Sequence, residues 1–168
     1  MKALVLKRYG GLDQVAFADL PRPALQPDEI LVQVHAAGLN PIDYMIPKGT
    51  FKPMLKFQLP ATLGSDLAGI VMEVGNRVTR FKPVDTVFAS IFDLGTDALA
   101  EFAVVPEKAA AFLFAHPDGW QLTEIGELLK AGRIRPLIDK VFPFDQAKDA
   151  LAYLEKGRAK GKVVVQIR

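Results

Sequence analysis

The sequence predicts a mainly β protein of the α+β class, with two helices confined to its C-terminal third. Short apolar runs bounded by Gly, Pro and Asn turn signals recur over the first two thirds of the 168 residues. Runs of this kind are typical of strands. Later in the chain, apolar residues recur at helical spacing, first at Ile125, Leu128 and Leu129 and again between about Asp145 and Lys156.

Composition excludes several classes of function. Half the residues are hydrophobic and the net charge is only +2, with Lys and Arg scattered along the chain, so we expect neither a nucleic-acid nor a membrane partner. The absence of cysteine excludes disulfide and thiolate chemistry and fits a reducing compartment. Residues 1–20 lack a signal-peptide core, and no apolar run is long enough to span a bilayer. We therefore expect a soluble cytoplasmic protein.

Eight strand or extended segments are predicted, and a stiff connector with three prolines follows the second of them, at Leu20–Asp28. The small residues Ala36-Ala37-Gly38 follow the third strand and indicate tight packing there. The strand or extended segments are Met1–Lys7, Gln14–Ala18, Ile30–His35, Leu67–Val74, Val84–Ala89, Asp97–Val105, Pro136–Phe144 and Val163–Ile167.

A compact β unit is predicted around the Gly75-Asn76 turn signal. Gly64 and Gly69 bracket Asp66, and glycine in or beside a strand usually marks a bulge or a close approach of another backbone. We interpret Asp66 as a buried acid in a tightly turned unit.

The segment from Asn40 to Gly49 is predicted on local grounds to be a loop. Asn40-Pro41 is a turn-starting pair, and Asp43 is placed to cap a short helical turn. Asp43 and Asp66 could form a catalytic acid pair, but caps and turn hydrogen bonds explain both residues more simply.

The two predicted helices carry recognisable ends. Asp118 stands three residues before Gln121, which is a variant of the capping box, and Gly132 stands where a C′ residue would end the first helix. Gly157 ends the second helix in the same way. Its predicted buried face contains Ala147, Ala150, Leu151 and Leu154.

A series of motifs resembles the medium-chain dehydrogenase/reductase superfamily and, within it, the zinc-free quinone oxidoreductase-like branch. The motifs are Asn40-Pro41-x-Asp43, Gly64–Val71, Glu73–Gly75, Val78, Phe81-Lys82, Asp85, Asp97–Phe102, Gly119…Gln121-Leu122, Gly132…Arg135-Pro136 and Gly157–Val163. The resemblance implies a GroES-like, barrel-type catalytic domain with the two C-terminal helices and a closing strand. Where the family has Gly-Asp-Arg-Val this chain has Val84-Asp85-Thr86-Val87, so we expect a strained turn at Pro83-Val84.

The cofactor domain of that family is missing from the sequence. No two glycines are spaced as Gly-x-Gly, the start of the dinucleotide-binding motif. Family-like sequence ends at residue 108 and resumes at residue 114, where the family has a Rossmann domain of about 130–150 residues. We therefore predict one GroES-like domain, 1–168, with an N-terminal β part at 1–108, a join at 109–113 and C-terminal helices and strand at 114–168.

The resemblance also implies a set of site residues. Those on the cofactor side are Asn40, Asp43 and Lys162, and those lining the substrate cleft are Met45, Ser65 and Asp66. Asn40 and Ser65 stand where zinc-dependent relatives have metal ligands, so no metal is expected. His35 and His116 are interpreted as structural or surface residues, and no residue is singled out as catalytic.

These observations lead to two main hypotheses of different class and to a weaker third, an active reductase that uses the dinucleotide domain of a partner in trans. The first is the substrate-side domain of an NAD(P)H-dependent quinone oxidoreductase or zinc-free alcohol dehydrogenase-like protein. The parent family uses NADP(H) and a small-molecule substrate, whereas this chain alone is expected to bind no cofactor and to be inactive. The second is a binding module that forms a homo-oligomer through the exposed cleft and an aromatic patch of Phe112, Leu113, Phe114 and Trp120. An equal alternative for these four residues is that they fill a rearranged core.

Overall fold

The computed structural model describes residues 1–54, 57–91, 97–110 and 119–168, with side chains for all of these except 119–123. Strands dominate, as predicted. The strands are β1 (Lys2–Leu6), β2 (Val15–Asp19), β3 (Glu29–Leu39), β4 (Ala61–Thr62), β5 (Asp66–Val74), β6 (Thr86–Ser90), β7 (Phe102–Pro106), β8 (Ile138–Pro143) and β9 (Lys162–Gln166). The α-helices are α1 (Pro41–Lys48), α2 (Gly119–Lys130) and α3 (Ala147–Glu155).

The central strand is β3, which is longer than predicted. Strand β5 pairs antiparallel with it from Ile30 to Gly38. Its other edge is shared, because β7 pairs with Glu29–Gln33 and β9 pairs with Ala36–Leu39, both antiparallel. Together with β6 and β8 these strands form a six-stranded sheet in the order β6-β5-β3-β9-β8, with β7 beside β3. Strand β3 therefore pairs directly with three strands that are far apart in sequence.

A second, three-stranded sheet has the order β2-β1-β4. Leu4 of β1 is bonded to the segments beside it: its N–H donates to the carbonyl of Leu99 at 2.8 Å, and its carbonyl accepts from Leu63 at 3.0 Å. The main core contains Leu4 and Leu6 from this sheet together with Val32 and Val34 of β3, so it lies where the two open sheets meet. The mainly β fold class is thus confirmed.

The C-terminal elements follow the prediction closely. Strands β8 and β9 are parallel, and α3 crosses between them and buries Ala147, Ala150 and Leu151. Gly132 and Gly157 have positive φ angles of 68° and 66° just after the two predicted helices, where a glycine relieves the steric strain of a left-handed residue. The two predicted helices are confirmed.

The local prediction of a loop at Asn40–Gly49 is wrong, because the segment contains the eight-residue helix α1. Pro41 occupies the first turn, where a missing N–H is harmless, and Gly49 ends the helix with a φ of 83°. The expected cap is present, since the carboxylate of Asp43 accepts the Asn40 N–H at 2.6 Å. These terminal signals outweigh the proline in the last turn, Pro47, which favours a loop.

Other boundaries differ from the prediction. Strand β7 begins at Phe102 rather than Asp97, and β6 begins at Thr86 rather than Val84. Val84 has a φ of 71°, which confirms the predicted strain at Pro83-Val84. Gly69 confirms the predicted close approach, since a Cβ there would lie 2.1 Å from the carbonyl oxygen of Gln33.

Several predicted features lie outside the described residues. They include His116, Asp118 with its proposed cap, the later part of the 109–113 join, and the side chains of the aromatic patch Phe112, Leu113, Phe114 and Trp120. Ala109 and Ala110, where the join begins, are buried, and Ala110 forms an isolated bridge with Ala89 of β6.

Within the described ranges, no helix has the length and apolar character needed to cross a membrane.

Candidate functional site

Three of the predicted site residues meet in one hydrogen-bonded cluster. The ammonium of Lys162 lies 2.7 Å from Asn40 Oδ1 and 3.1 Å from Asp66 Oδ2. The Asn40 amide Nδ2 donates to the same Asp66 oxygen at 2.7 Å. Because Asn40 and Lys162 are 122 positions apart in sequence, only the folded chain creates this arrangement.

Strand pairing explains why the cluster forms. Gly38, near the end of β3, pairs with Asp66 at the start of β5, and Leu39 pairs with Val163, next to the first residue of β9. In antiparallel pairing the end of one strand meets the start of its neighbour. Asn40, which directly follows β3, therefore lies between Asp66 and Lys162.

The predicted burial of Asp66 is wrong, and the buried acid of the site is Asp43. The side chains of Asp66 and Lys162 are 33% and 38% exposed, so their ion pair faces solvent, where such a pair contributes little to stability. Asp66 takes its hydrogen bonds from Asn40 and Lys162, at long range in sequence, rather than from a local turn.

Asp43 is completely buried beneath the cluster, and only one of its oxygens, Oδ2, is bonded to the Asn40 N–H. Its Oδ1 is buried with no hydrogen-bond partner among the described residues. Burial raises the pKa of Asp43 to about 7 and the nearby charge of Asp66 adds to the rise, while the Asn40 hydrogen bond and Lys162 oppose it. Near neutral pH this carboxyl is therefore present in both protonation states.

The two remaining cleft residues lie close to these elements. Ser65 directly precedes Asp66 and is buried, and its carbonyl accepts the Ile91 N–H at 2.8 Å. Met45 lies on α1 and is half-buried. No described side-chain hydrogen bond links either residue to the cluster. Apart from the cluster, His35 on β3 has a buried Nε2 that finds no partner among the described residues.

The cluster presents an ammonium and an amide to solvent. Lys162 has three N–H donors, of which two are engaged by Asn40 and Asp66, so one remains for a polar or anionic ligand group. Among the described residues no group of three or more His, Asp or Glu side chains could hold a metal ion. The arrangement is suited to binding and orienting a ligand rather than to activating a nucleophile.

Sequence reasoning missed the ion pair between Asp66 and Lys162. It assigned the two residues to opposite sides of the cleft, and their bond follows only from the shared pairing of β5 and β9 with β3. It predicted tight packing at Ala36-Ala37-Gly38 but did not identify Lys162 as the side chain that packs against Gly38.

Comparisons with known proteins identify the family of this chain. The sequence model of the zinc-binding dehydrogenase family matches residues 65–165. The chain is 40% identical over 109 residues to a chloroplastic quinone-oxidoreductase homolog of Spinacia oleracea, an alignment that covers 64% of this chain and 33% of that protein. The chain thus spans about a third of the curated relatives it matches.

Solved structures share the fold. The quinone oxidoreductase of Coxiella burnetii superposes with a TM-score of 0.87 at 17% identity, over 100% of this chain and 99% of the other. The Escherichia coli quinone oxidoreductase complexed with NADPH gives a TM-score of 0.60 at 23% identity, over 85% of this chain and 44% of the other. The chain belongs to the zinc-binding dehydrogenase family of the medium-chain dehydrogenase/reductase superfamily, and its sequence relatives include quinone oxidoreductases.

Proposed function

We propose that this chain is the substrate-side, GroES-like part of an NAD(P)H-dependent quinone oxidoreductase-like protein and that it is inactive by itself. The observation that carries the proposal is the convergence of Asn40, Asp66 and Lys162, which the family resemblance assigns to one cleft, in a single cluster open to solvent. The quinone oxidoreductase relatives support the same reaction class.

Each residue has a role in this proposal. Lys162 and Asn40 offer a cation and an amide to the nicotinamide-ribose side of a cofactor, and Asp66 holds both in place. Asp43 acts through Asn40, because its own carboxylate is buried. Met45 and Ser65 belong to the wall that faces a small-molecule substrate. When bound, NADP(H) would supply the hydride, and these residues would orient the reactants and exclude water.

The residues do not fit a zinc ion, although the family is named for one. The chain has no cysteine, and the positions of the expected ligands hold Asn40 and Ser65. The solvent-facing carboxylate of the cluster, Asp66, already pairs with the Lys162 ammonium, whose positive charge opposes a second cation at this place. We therefore propose no metal-dependent step.

The lack of activity follows from the missing cofactor domain. The phosphate-binding turn of a Rossmann fold needs closely spaced glycines, and the sequence contains no Gly-x-Gly. The join begins at Ala109 and Ala110, which are packed into the core beside β6. A domain deleted between residues 108 and 114 would thus leave the two flanks as one body, 1–168, with half of the cleft open to water.

Titration with NADPH, together with an assay of quinone reduction, tests this proposal. We expect no saturable binding at micromolar NADPH and no turnover. The variant Lys162→Met is a matched control, because any binding that uses the cluster must weaken when the ammonium is removed. The proposed inactivity would be wrong if the chain bound NADPH at micromolar concentration and reduced quinone, and if Lys162→Met abolished both.

A binding module that self-associates is the second candidate function. Five large apolar side chains of the C-terminal region are exposed, and we call them the C-terminal apolar surface: Leu129, Ile134, Leu137, Ile138 and Val141. Exposed apolar groups of this kind are covered at protein interfaces. Light scattering across a concentration series tests the idea, since a strict monomer at every concentration contradicts it. Both proposals include a cytoplasmic location, with which the cysteine-free composition is compatible.

A further inference from the structure

Gly38 lies directly under the side chain of Lys162. A Cβ built on Gly38 would be 2.7 Å from Lys162 Cε, 3.5 Å from its Nζ and 3.7 Å from Asp66 Cβ. Real Cβ atoms almost never approach another heavy atom as closely as the first of these distances. The Lys162 side chain therefore occupies the space that any other residue at position 38 would fill.

The backbone does not explain this glycine. Gly38 belongs to the regular strand β3 and, unlike Gly49 and Gly64, does not have a positive φ angle. An alanine could adopt its conformation, and a glycine within a strand lowers stability relative to alanine. A glycine is required because the Lys162 side chain occupies the space in which a Cβ would lie.

We propose that Gly38 is a positioning residue: its missing side chain leaves the passage through which Lys162 crosses β3 to reach Asn40 and Asp66. This passage is a property of the described structure, whereas its consequence for a bound ligand rests on the proposed function. A side chain at position 38 would move the ammonium away from the cluster and leave the site without its cation.

A second glycine shows why the strand itself would survive such a change. At Gly69 a Cβ would meet the backbone carbonyl of Gln33 at 2.1 Å, and a backbone atom in a paired strand cannot yield. At Gly38 the atom met is near the end of a long, flexible lysine side chain, which can rotate away. Gly38→Ala should therefore fold with the sheet intact and differ mainly in where Lys162 lies.

The buried Asp43 reports the position of Lys162 without any ligand. The charged side chains that act on it are Asp66 on β5, which raises its pKa, and Lys162 on β9, which lowers it. The carboxyl carbon shift of Asp43, followed by NMR across pH, gives the titration midpoint in the wild type, Gly38→Ala, Lys162→Met and the double variant. Gly126→Ala is the matched control, since a Cβ at Gly126 has no neighbour within 4 Å.

We expect the Asp43 midpoint to rise in Gly38→Ala and in Lys162→Met, because both withdraw the same positive charge. The double variant should match Lys162→Met alone, and Gly126→Ala should match the wild type. An unchanged backbone amide spectrum around β3 shows that Gly38→Ala is folded.

Two results would overturn the proposal: a midpoint in Gly38→Ala equal to that of the wild type, or effects of the two substitutions that simply add. No dinucleotide takes part in this titration, so either result leaves the proposed function standing. Micromolar NADPH binding with turnover, in contrast, would overturn the proposed inactivity and leave the role of Gly38 untouched.

Discussion

The polar cluster at the end of β3 and the C-terminal apolar surface differ in whether their side chains find partners within the chain. At the cluster, Asn40, Asp66 and Lys162 are bonded to one another, and a glycine has been left where a side chain would interfere. At the C-terminal apolar surface, Leu137 is 69% exposed and Ile138 is 51% exposed, and nothing described covers them. The polar groups of the first region are bonded within this chain, whereas the second region leaves large apolar side chains exposed to solvent. The following predictions test that difference.

The largest effect is expected in the core. Leu4 of β1 is fully buried where the two sheets meet. Leu4→Ala removes packed methyl groups and leaves a cavity, so it should lower the free energy of unfolding by about 2–5 kcal/mol. Denaturant unfolding followed by circular dichroism measures this loss. A loss below about 1 kcal/mol would mean that the core collapses around the deletion.

The next largest effect is a dependence of the free energy of unfolding on pH, which arises from Asp43. Folding raises the pKa of this acid from 3.8 to about 7, so the folded state favours its protonated form. The stability it contributes is complete below pH 3.8 and is lost as the pH rises through about 7. At 1.36 kcal/mol per pKa unit, the loss approaches about 4 kcal/mol at most.

Asp43→Asn tests this dependence because it keeps an acceptor oxygen for the Asn40 N–H and cannot ionise. Denaturant unfolding at about pH 5 and about pH 8 should show a decline in the wild type that the variant lacks. Asp13→Asn, at an exposed acid, should keep the wild-type decline. A wild-type stability that rises between these two pH values would contradict the predicted direction.

A smaller gain is expected at the strained turn before β6. Val84 has a φ of 71° and is 80% exposed, so its side chain gains little from packing. A left-handed conformation costs roughly 1–2 kcal/mol for a residue with a Cβ, and glycine loses about 0.5–1 kcal/mol through entropy. Val84→Gly should therefore raise the free energy of unfolding by up to about 1 kcal/mol. Val104→Gly, within β7, should lower it.

The smallest effect is expected on the C-terminal apolar surface. Leu137→Ala makes the same chemical change as Leu4→Ala but at an exposed position, so the free energy of unfolding should stay within about 0.5 kcal/mol of the wild type. If the surface docks a second copy, the same variant should lower the mass seen by light scattering at high concentration. A stability loss as large as that of Leu4→Ala would show that Leu137 is already packed.

Sequence reasoning succeeded where a signal was local or where a family motif was intact. Gly132 and Gly157 ended the two predicted helices, and the departure from the family pattern at Val84 correctly indicated strain. It failed at α1, because Asn40-Pro41 was interpreted as the start of a turn, although a proline in the first helical turn and a glycine at the end also favour a helix. It also misjudged the burial of Asp66 and did not predict the burial of Asp43, since the burial of an acid depends on what packs over it and not on its neighbours in sequence.

The sequence by itself determined most of the strands, the two C-terminal helices with their glycine ends, the family and the absence of a closely spaced glycine motif, because each of these depends on short-range pattern. Only the tertiary structure decided that Lys162 bonds to Asp66 and Asn40, that Asp43 is the buried acid and that Gly38 makes room for the lysine. The physical reason is that β3 pairs with β5 and β9 together, which brings residues from three distant segments within hydrogen-bond distance.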